Sequence, residues 1–494
     1  MSAYRALEAR FARIADIEGA IAVLHWDHHV MMPQGGAEAR AEQLATLEAL
    51  AHEILITAET GGLLASAEGS EVRDLDPWQA ANLREMRRAF RRATALPKDL
   101  VAALARAAAR AEPLWRRARE ADDFAMLRPA LEDIVRLTRE RAEAKSEGLG
   151  LAPYDALLDD YEPGVGMREI DALFEPLAAF LPDFIDDVLA RQRPPLPLVG
   201  PFAFARQKAL GLRLMATLGF DFAHGRLDES AHPFCGGVPD DVRLTARYDE
   251  ADVDSALMSI LHETGHALYN AGLPRAWRRQ PVGLPRSMAV HESQSLLVEM
   301  QVCRSQAFFG YLAPLLVETF GRDDASLGPD NLYRRALWVE RSLIRVDADE
   351  VTYPLHVILR YRLEKALLAG TLAVADLPEA WNAGMEELLG VRPPSDRMGC
   401  LQDTHWPSGA FGYFPCYTLG ALLAAQLWQA ARAAEPGIVD GIGQGDFRPL
   451  LGWLRTNVHR RGSLHETPDL VSRATGRPLE LQPFLDHLEA RYLG

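Results

Sequence analysis

Residues 262–266 of this chain read His-Glu-Thr-Gly-His, two imidazoles separated by three positions with a carboxylate directly after the first. If the segment is helical, positions i and i+4 project from one face, so His262 and His266 can reach one ion at about 2.0–2.1 Å while Glu263 stands beside it. A metal held in this way lowers the pKa of a nearby water towards about 7 and polarises a carbonyl, and Glu263 is placed to remove the water proton and hand it to a departing amine. The chemistry implied is hydrolysis of an amide bond with Glu263 as general base and acid.

The surrounding sequence supports the helix that this geometry needs. In residues 254–271 (DSALMSILHETGHALYNA) an apolar face runs through Leu257, Ile260, Leu261, Ala267 and Leu268, Asp254 or Ser255 is placed to cap the start, and Gly272 with Pro274 ends it. A third ligand is still required. The metzincin position is unsuitable, because six residues after His266 stands Gly272. On the next predicted helix, Ser287 to Cys303, Glu292 and Glu299 are seven apart on a common face, and His291 is turned from them by about 100°. Spacing leaves these three open.

Stepping outward, Ala, Leu, Arg and Glu dominate, and apolar residues recur at helical intervals, as at Leu7, Phe11, Ile14, Ile17 and Ile21. A mostly α protein is predicted, with breaks at residues 32–36, 96–97, 191–202 and 392–394. The first 150 or so residues form a helical set able to cover something else, with a seam near Pro194. One strand stands out, Asp241 to Tyr248, where Val242, Leu244 and Ala246 alternate with Arg243, Thr245 and Arg247; it is expected at a sheet edge beside the metal-binding helix, where an extended peptide could pair.

The chain has 494 residues, 48% hydrophobic and 25% charged, with a formal net charge of -16. Its basic residues are dispersed among acids, which argues against nucleic acid or anionic membrane as a partner. The run REMRRAFRR at residues 84–92 reads as a solvated helix face. Four dispersed cysteines (Cys235, Cys303, Cys400, Cys416), no apolar leader and no long uncharged stretch lead to the expectation of a cytoplasmic protein with reduced thiols.

The chain resembles the Taq-type carboxypeptidases, peptidase family M32, through an ordered series of segments. These are His232-Pro233-Phe234, Asp241-x-Arg243-x-Thr245, His262-Glu263-x-x-His266, His291-Glu292-Ser293-Gln294, Ile344-Arg345-x-x-Ala348-Asp349 and Gly399-x-x-Gln402-Asp403-x-His405-Trp406. The early Trp26-Asp27 and Met32-Pro33 fit as well, so the likeness covers nearly the whole chain. The resemblance implies that Glu292 completes a two-histidine, one-glutamate site for one zinc ion per chain, with cobalt also suited to such donors. It implies a single domain spanning residues 1–494: a large helical body with a deep central groove (about 200–494), a small β-sheet beside the metal-binding helix, and an N-terminal helical lid (about 1–150), assembled as a homodimer. Its implied activity is release of single C-terminal amino acids from peptides with a free C-terminus. It favours Arg345 as the carboxylate-binding cation over a structural ion pair with Asp347 or Asp349. Tyr413 and His405, in the Gly- and aromatic-rich stretch 405–415, and His232 and Arg243 become candidate groove residues. His28-His29 depart from the family pattern and are read as polar residues near a helix end.

Competing expectations are a zinc endopeptidase, oligopeptidase or aminopeptidase using the same chemistry, and a metal-free helical scaffold. No Gly-Ala-Met-Glu-Asn type of amine-binding motif is present, and the intact Glu263 speaks against a scaffold.

Overall fold

Helix-forming composition and periodicity are realised almost throughout. The computed structural model describes residues 2–494, and twenty α-helices with one three-stranded sheet make up the regular part of those residues. The predicted breaks fall between helices: Ala3–Val30 stops just before Met32-Pro33, Lys98–Ala121 begins after Pro97, and the extended stretch 192–203 separates Met167–Arg191 from Phe204–Leu218.

Apolar faces gather into two large cores and two small ones. One large core joins Lys98–Ala121, Phe124–Leu149 and Met167–Arg191 to Tyr353–Ala369 and Leu377–Leu389. The other is built from Phe204–Leu218, Val253–Gly272, Gln306–Phe320 and segments between residues 438 and 471. The helix Pro415–Ala434 serves both, with Leu419 and Leu422 in the first and Leu423 and Leu427 in the second. The N-terminal helices up to Thr94 have their own small core of Tyr4, Leu7, Phe11, Leu64, Leu83 and Met86. Residues 98–149 thus pack within the body, while residues 3–94 form a separate layer.

That layer is tied to the body by charge, which corrects the solvated-face expectation for residues 84–92. Glu85, 7% exposed, accepts hydrogen bonds from Arg84, Arg88 and the buried Arg286, and Arg88 also reaches Glu466 at 2.7 Å. Arg92 pairs with Asp159. Burial works to raise the Glu85 pKa, yet the guanidinium of Arg286, with Arg88 and Arg84, brings it below its ordinary value. Glu85→Ala should cost about 3 kcal/mol, because the buried Arg286 would keep only the more distant Glu466 carboxylate at 3.7 Å. An unfolding free energy, from denaturant titration, lowered by less than about 1 kcal/mol would show the tie to be dispensable.

The sheet corrects the edge-strand expectation. Strand β1 (Gly225–Glu229) pairs in parallel with β3 (Asp241–Ala246), and β2 (Cys235–Val238) pairs antiparallel with β3 on its other side, so the strand bearing Arg243 is central. Val242, Leu244 and Ala246 are buried against Ile260 and Ala267, which seats the sheet on the helix that carries the two histidines.

Candidate metal centre and groove

His262, Glu263 and His266 lie on the helix Val253–Gly272, whose cap is Asp252, accepting from Ser255 N–H at 3.1 Å, rather than Asp254 or Ser255. The helix Met288–Leu296 is capped by Ser287, and the Glu162 carboxylate accepts the Ala289 N–H; it runs on into a wider π-helical turn, Leu297–Cys303. Two glycines let these elements close. A Cβ at Gly265 would lie 2.5 Å from the Gln294 carbonyl oxygen, and one at Gly420 would lie 2.8 Å from Glu292 Cβ and Cγ.

The result is a convergent donor set. Glu292 Oε2 is 3.6 Å from His266 Nε2, and Oε1 is 4.0 Å from His262 Nε2. One ligand atom from each of the three residues lies within 4.8 Å of the others. Such separations suit a small divalent ion, since tetrahedral bonds of 2.0–2.1 Å put donors about 3.3 Å apart. The other ring nitrogens are occupied on the outside: His262 Nδ1 bonds Glu299 Oε2 at 2.9 Å, and His266 Nδ1 lies 3.1 Å from the His291 carbonyl oxygen. Of the three third-ligand candidates, Glu292 faces both Nε2 atoms. Glu299 stands behind His262, held by Arg304 at 2.7 Å, and His291 packs its ring on His266.

The electrostatics favour a cation. Burial raises the Glu292 pKa, and it raises Glu263 to about 7 with help from Glu292 and Glu299 and against the opposing charge of His262. Burial works to lower His262, but the hydrogen bond from Glu299 and the charges of Glu292, Glu299 and Glu263 prevail and lift it to about 10. Burial, then His291 and His262, push His266 down. Three carboxylates around two imidazoles leave surplus negative potential at the point where the donors meet.

His262, Glu263, Glu292 and Glu299 line a cavity of about 510 Å³ that also includes Pro233, Arg345, Tyr353 and Tyr417. Arg345 is not paired with Asp347 or Asp349. Its Nη2 bonds Asp403 Oδ1 at 2.7 Å, its Nη1 bonds the Tyr353 hydroxyl at 2.7 Å, and the rings of Tyr353, Phe414 and Tyr417 surround the guanidinium. Asp403 is shared, because its Oδ2 takes Arg360 Nε at 2.6 Å. Two buried guanidiniums on one carboxylate give this end of the cavity a net positive charge.

The other candidate residues lie around the cavity rather than in its wall. Tyr413 packs on Tyr161, His405 and Tyr417, close enough to Glu292 that the carboxylate's charge adds to burial in raising its phenol pKa. His405 rests on Phe414, with Nε2 3.5 Å from the Tyr417 hydroxyl. His232 is exposed in a neighbouring pocket with His25, Trp26, His29 and Phe234, which shares Pro233 with the main cavity. Arg243 bonds Asp241 and lies over the Trp26 ring at 4.3 Å, clamping the sheet to the first helix. His28 and His29 are exposed in the last turn of Ala3–Val30.

The sequence matches the family described as Carboxypeptidase Taq (M32) metallopeptidase across residues 6–492. The chain belongs to that family. Thermostable carboxypeptidase 1 of Thermus thermophilus is 41% identical over 488 residues, covering 96% of this chain and 94% of that one. Trypanosoma cruzi metallocarboxypeptidase 1 superposes with a TM-score of 0.98 at 39% identity over 100% of this chain and 99% of that one. The M32 carboxypeptidase from Deinococcus radiodurans R1 gives 0.95 at 39% identity, over 99% and 98% respectively. This M32 chain is a metallocarboxypeptidase with a helical fold, and among the described residues no helix is long and apolar enough to cross a membrane.

Sequence reasoning did not reach Arg360, Tyr353 and Tyr417. An arginine within an apolar helix (HVILRYRLE) was the visible sign for Arg360, which is fully buried; the two tyrosines carried no signal.

Proposed function

We propose that the enzyme removes amino acids one at a time from the free C-terminus of peptides, with His262, His266 and Glu292 holding one zinc ion, or cobalt, and Glu263 serving as general base and acid. The observation that carries this reading is the cavity lined by His262, Glu263 and Glu292 of the donor-set region and by the guanidinium of Arg345, which shares Asp403 with the buried Arg360 behind it. When bound, the ion supplies Lewis acidity, polarising the scissile carbonyl and acidifying water beside it. Arg345 takes the substrate carboxylate: three of its five N–H groups are engaged by Asp403 and Tyr353, which leaves two to donate. The aromatic rings around it fix the guanidinium before substrate arrives and keep water from screening its charge. Glu263, buried and beside His262, takes a proton from the attacking water and returns it to the departing amine. The wall at Tyr417, backed by Tyr413 and His405, supplies hydroxyl donors near Glu292, while His232 lines the adjoining pocket that shares Pro233, and Arg243 holds the neighbouring strand to Trp26.

The separate N-terminal layer is the lid in this scheme, confined to residues 3–94. A homodimer follows from the family resemblance, and the free state of all four cysteines supports a reducing, cytoplasmic setting.

Mass spectrometry of a free-acid peptide and its amidated twin, each incubated with zinc-loaded protein, tests the reading. Stepwise loss of single residues from the free acid alone is expected; internal cuts in both would make the protein an endopeptidase. For the ligand set, His266→Ala should bind less than a tenth of stoichiometric zinc by elemental analysis. One full equivalent in that variant would overturn the assignment.

A further inference from the structure

His291 lies next to the proposed ligand Glu292 in sequence, but its ring points at the back of the other helix. Its Nδ1 is 2.7 Å from His266 Nδ1, and its Nε2 is 3.1 Å from Asn270 Oδ1. Asn270 is one turn beyond His266 on Val253–Gly272, and its Nδ2 faces Cys235 Sγ on β2 at 3.8 Å. The His291 ring is sandwiched, with centroids 4.5 Å from His266 and 5.4 Å from Tyr269.

Two imidazole nitrogens at 2.7 Å must share one hydrogen, so one donates and the other accepts. The His291 carbonyl oxygen, 3.1 Å from His266 Nδ1, can only accept, and Asn270 sets the same direction through the His291 ring. With its Nδ2 turned to the thiol, its Oδ1 can only accept, so His291 carries its hydrogen on Nε2 and its Nδ1 is a bare acceptor. His266 must then carry its own hydrogen on Nδ1, which leaves the Nε2 lone pair free towards Glu292. Reversing the chain would put a hydrogen on His266 Nε2, where a metal must bind.

We propose that His291 and Asn270 are positioning residues that select the metal-binding tautomer of His266 and raise the basicity of its Nε2. This rests on the metal-ligand assignment of His262, His266 and Glu292. Both residues act through His266; neither touches the ion or the substrate. Outer partners of this type typically alter metal affinity about 10- to 100-fold.

The competing acceptor for the same Nδ1–H is the His291 backbone carbonyl oxygen at 3.1 Å, which a substitution of the His291 side chain leaves in place. His291→Phe keeps a ring between His266 and Tyr269 but removes the acceptor nitrogen. Asn270→Leu removes the acceptor for His291 Nε2–H, and Asn270→Asp restores one. Chelator-stripped full-length protein is titrated with zinc against a chromophoric competitor, the cobalt(II)-loaded absorption spectrum is recorded, and the metal-free melting temperature of each variant is measured. The expected result is zinc affinity weakened about 10-fold or more in His291→Phe and Asn270→Leu, recovery to near wild type in Asn270→Asp, an altered cobalt spectrum in the first two, and metal-free melting temperatures within a few degrees of wild type. Wild-type affinity in His291→Phe overturns the proposal and assigns the role to the backbone carbonyl. Equal weakening in Asn270→Leu and Asn270→Asp also overturns it, since the hydrogen-bond direction would then be immaterial. Absence of stoichiometric zinc in the wild-type protein removes the ligand assignment and this inference with it.

Discussion

Glu263→Gln is expected to bind zinc at one equivalent per chain and to lose about 1,000-fold or more in kcat/KM on a free-acid peptide. The substitution preserves shape but removes the carboxylate proposed to accept a proton beside the donor set, and general acid–base catalysis is commonly worth about 10²- to 10⁴-fold. Metal binding survives because Glu263 is not one of the three convergent ligands. Turnover within tenfold of wild type, with metal confirmed, would remove Glu263 from the base role. With Glu263 as the proposed base, the same residue is expected to set the acid limb of the pH profile. Burial first, then the charges of Glu292 and Glu299, hold its carboxyl at about 7 in the metal-free protein, and only the ionised form can accept a proton. Activity therefore falls as pH drops through the working pKa. A nearby dication favours the carboxylate, so the loaded enzyme should show its acid limb below pH 7 and not above it. A limb that stays in place in Glu263→Gln would belong to another group.

Arg345→Ala should lower kcat/KM on free-acid peptides by about 10²- to 10³-fold while changing the inhibition constant of an amidated peptide by less than about threefold. The shared carboxylate makes this test clean. Removing Arg345 leaves Asp403 paired with Arg360, so no buried charge is stranded and the local charge falls from positive to neutral. Arg360 differs: it is fully buried, lies over Trp381 and bonds Gln402, so its loss would open a cavity as well as remove charge. Equal losses on free-acid and amidated peptides would show that Arg345 supports the groove wall without reading the carboxylate.

The contrast between what could and could not be read in advance follows from where each constraint lies. His262, Glu263 and His266 were legible because all three sit on one helix, where spacing alone fixes geometry. Glu292 and Glu299 share a helix face, so spacing could not separate them; the choice depends on which end of that segment meets the histidine helix across Gly265. Arg345 was suspected beside Asp347 and Asp349, but its partner is 58 residues away in the chain. Asp349 instead accepts backbone N–H groups from Val351 and Thr352. Strand β3 was found by its alternation, yet its central place was hidden because one neighbour, Cys235-Gly-Gly-Val238, has no side-chain pattern to read. The arginine run 84–92 carried the pattern of a solvated face, and only the fold brought Arg286 and Glu466 to it.

The close approach at Gly265 has a thermodynamic side. Donors for one ion come from two helices, so the bite of the site is an interhelical spacing, and any ion that fits acts as a clamp across the packed interface. Zinc then binds the native chain in preference to the unfolded one and should raise the melting temperature in proportion to the logarithm of its free concentration. Gly265→Ala, by wedging the helices apart, should weaken that dependence more than it lowers the melting temperature of the chelated protein, which differential scanning calorimetry with and without chelator can measure. A smallest-possible side chain between the two proposed histidine ligands thus serves as a spacer that sets how firmly the metal and the fold would hold one another.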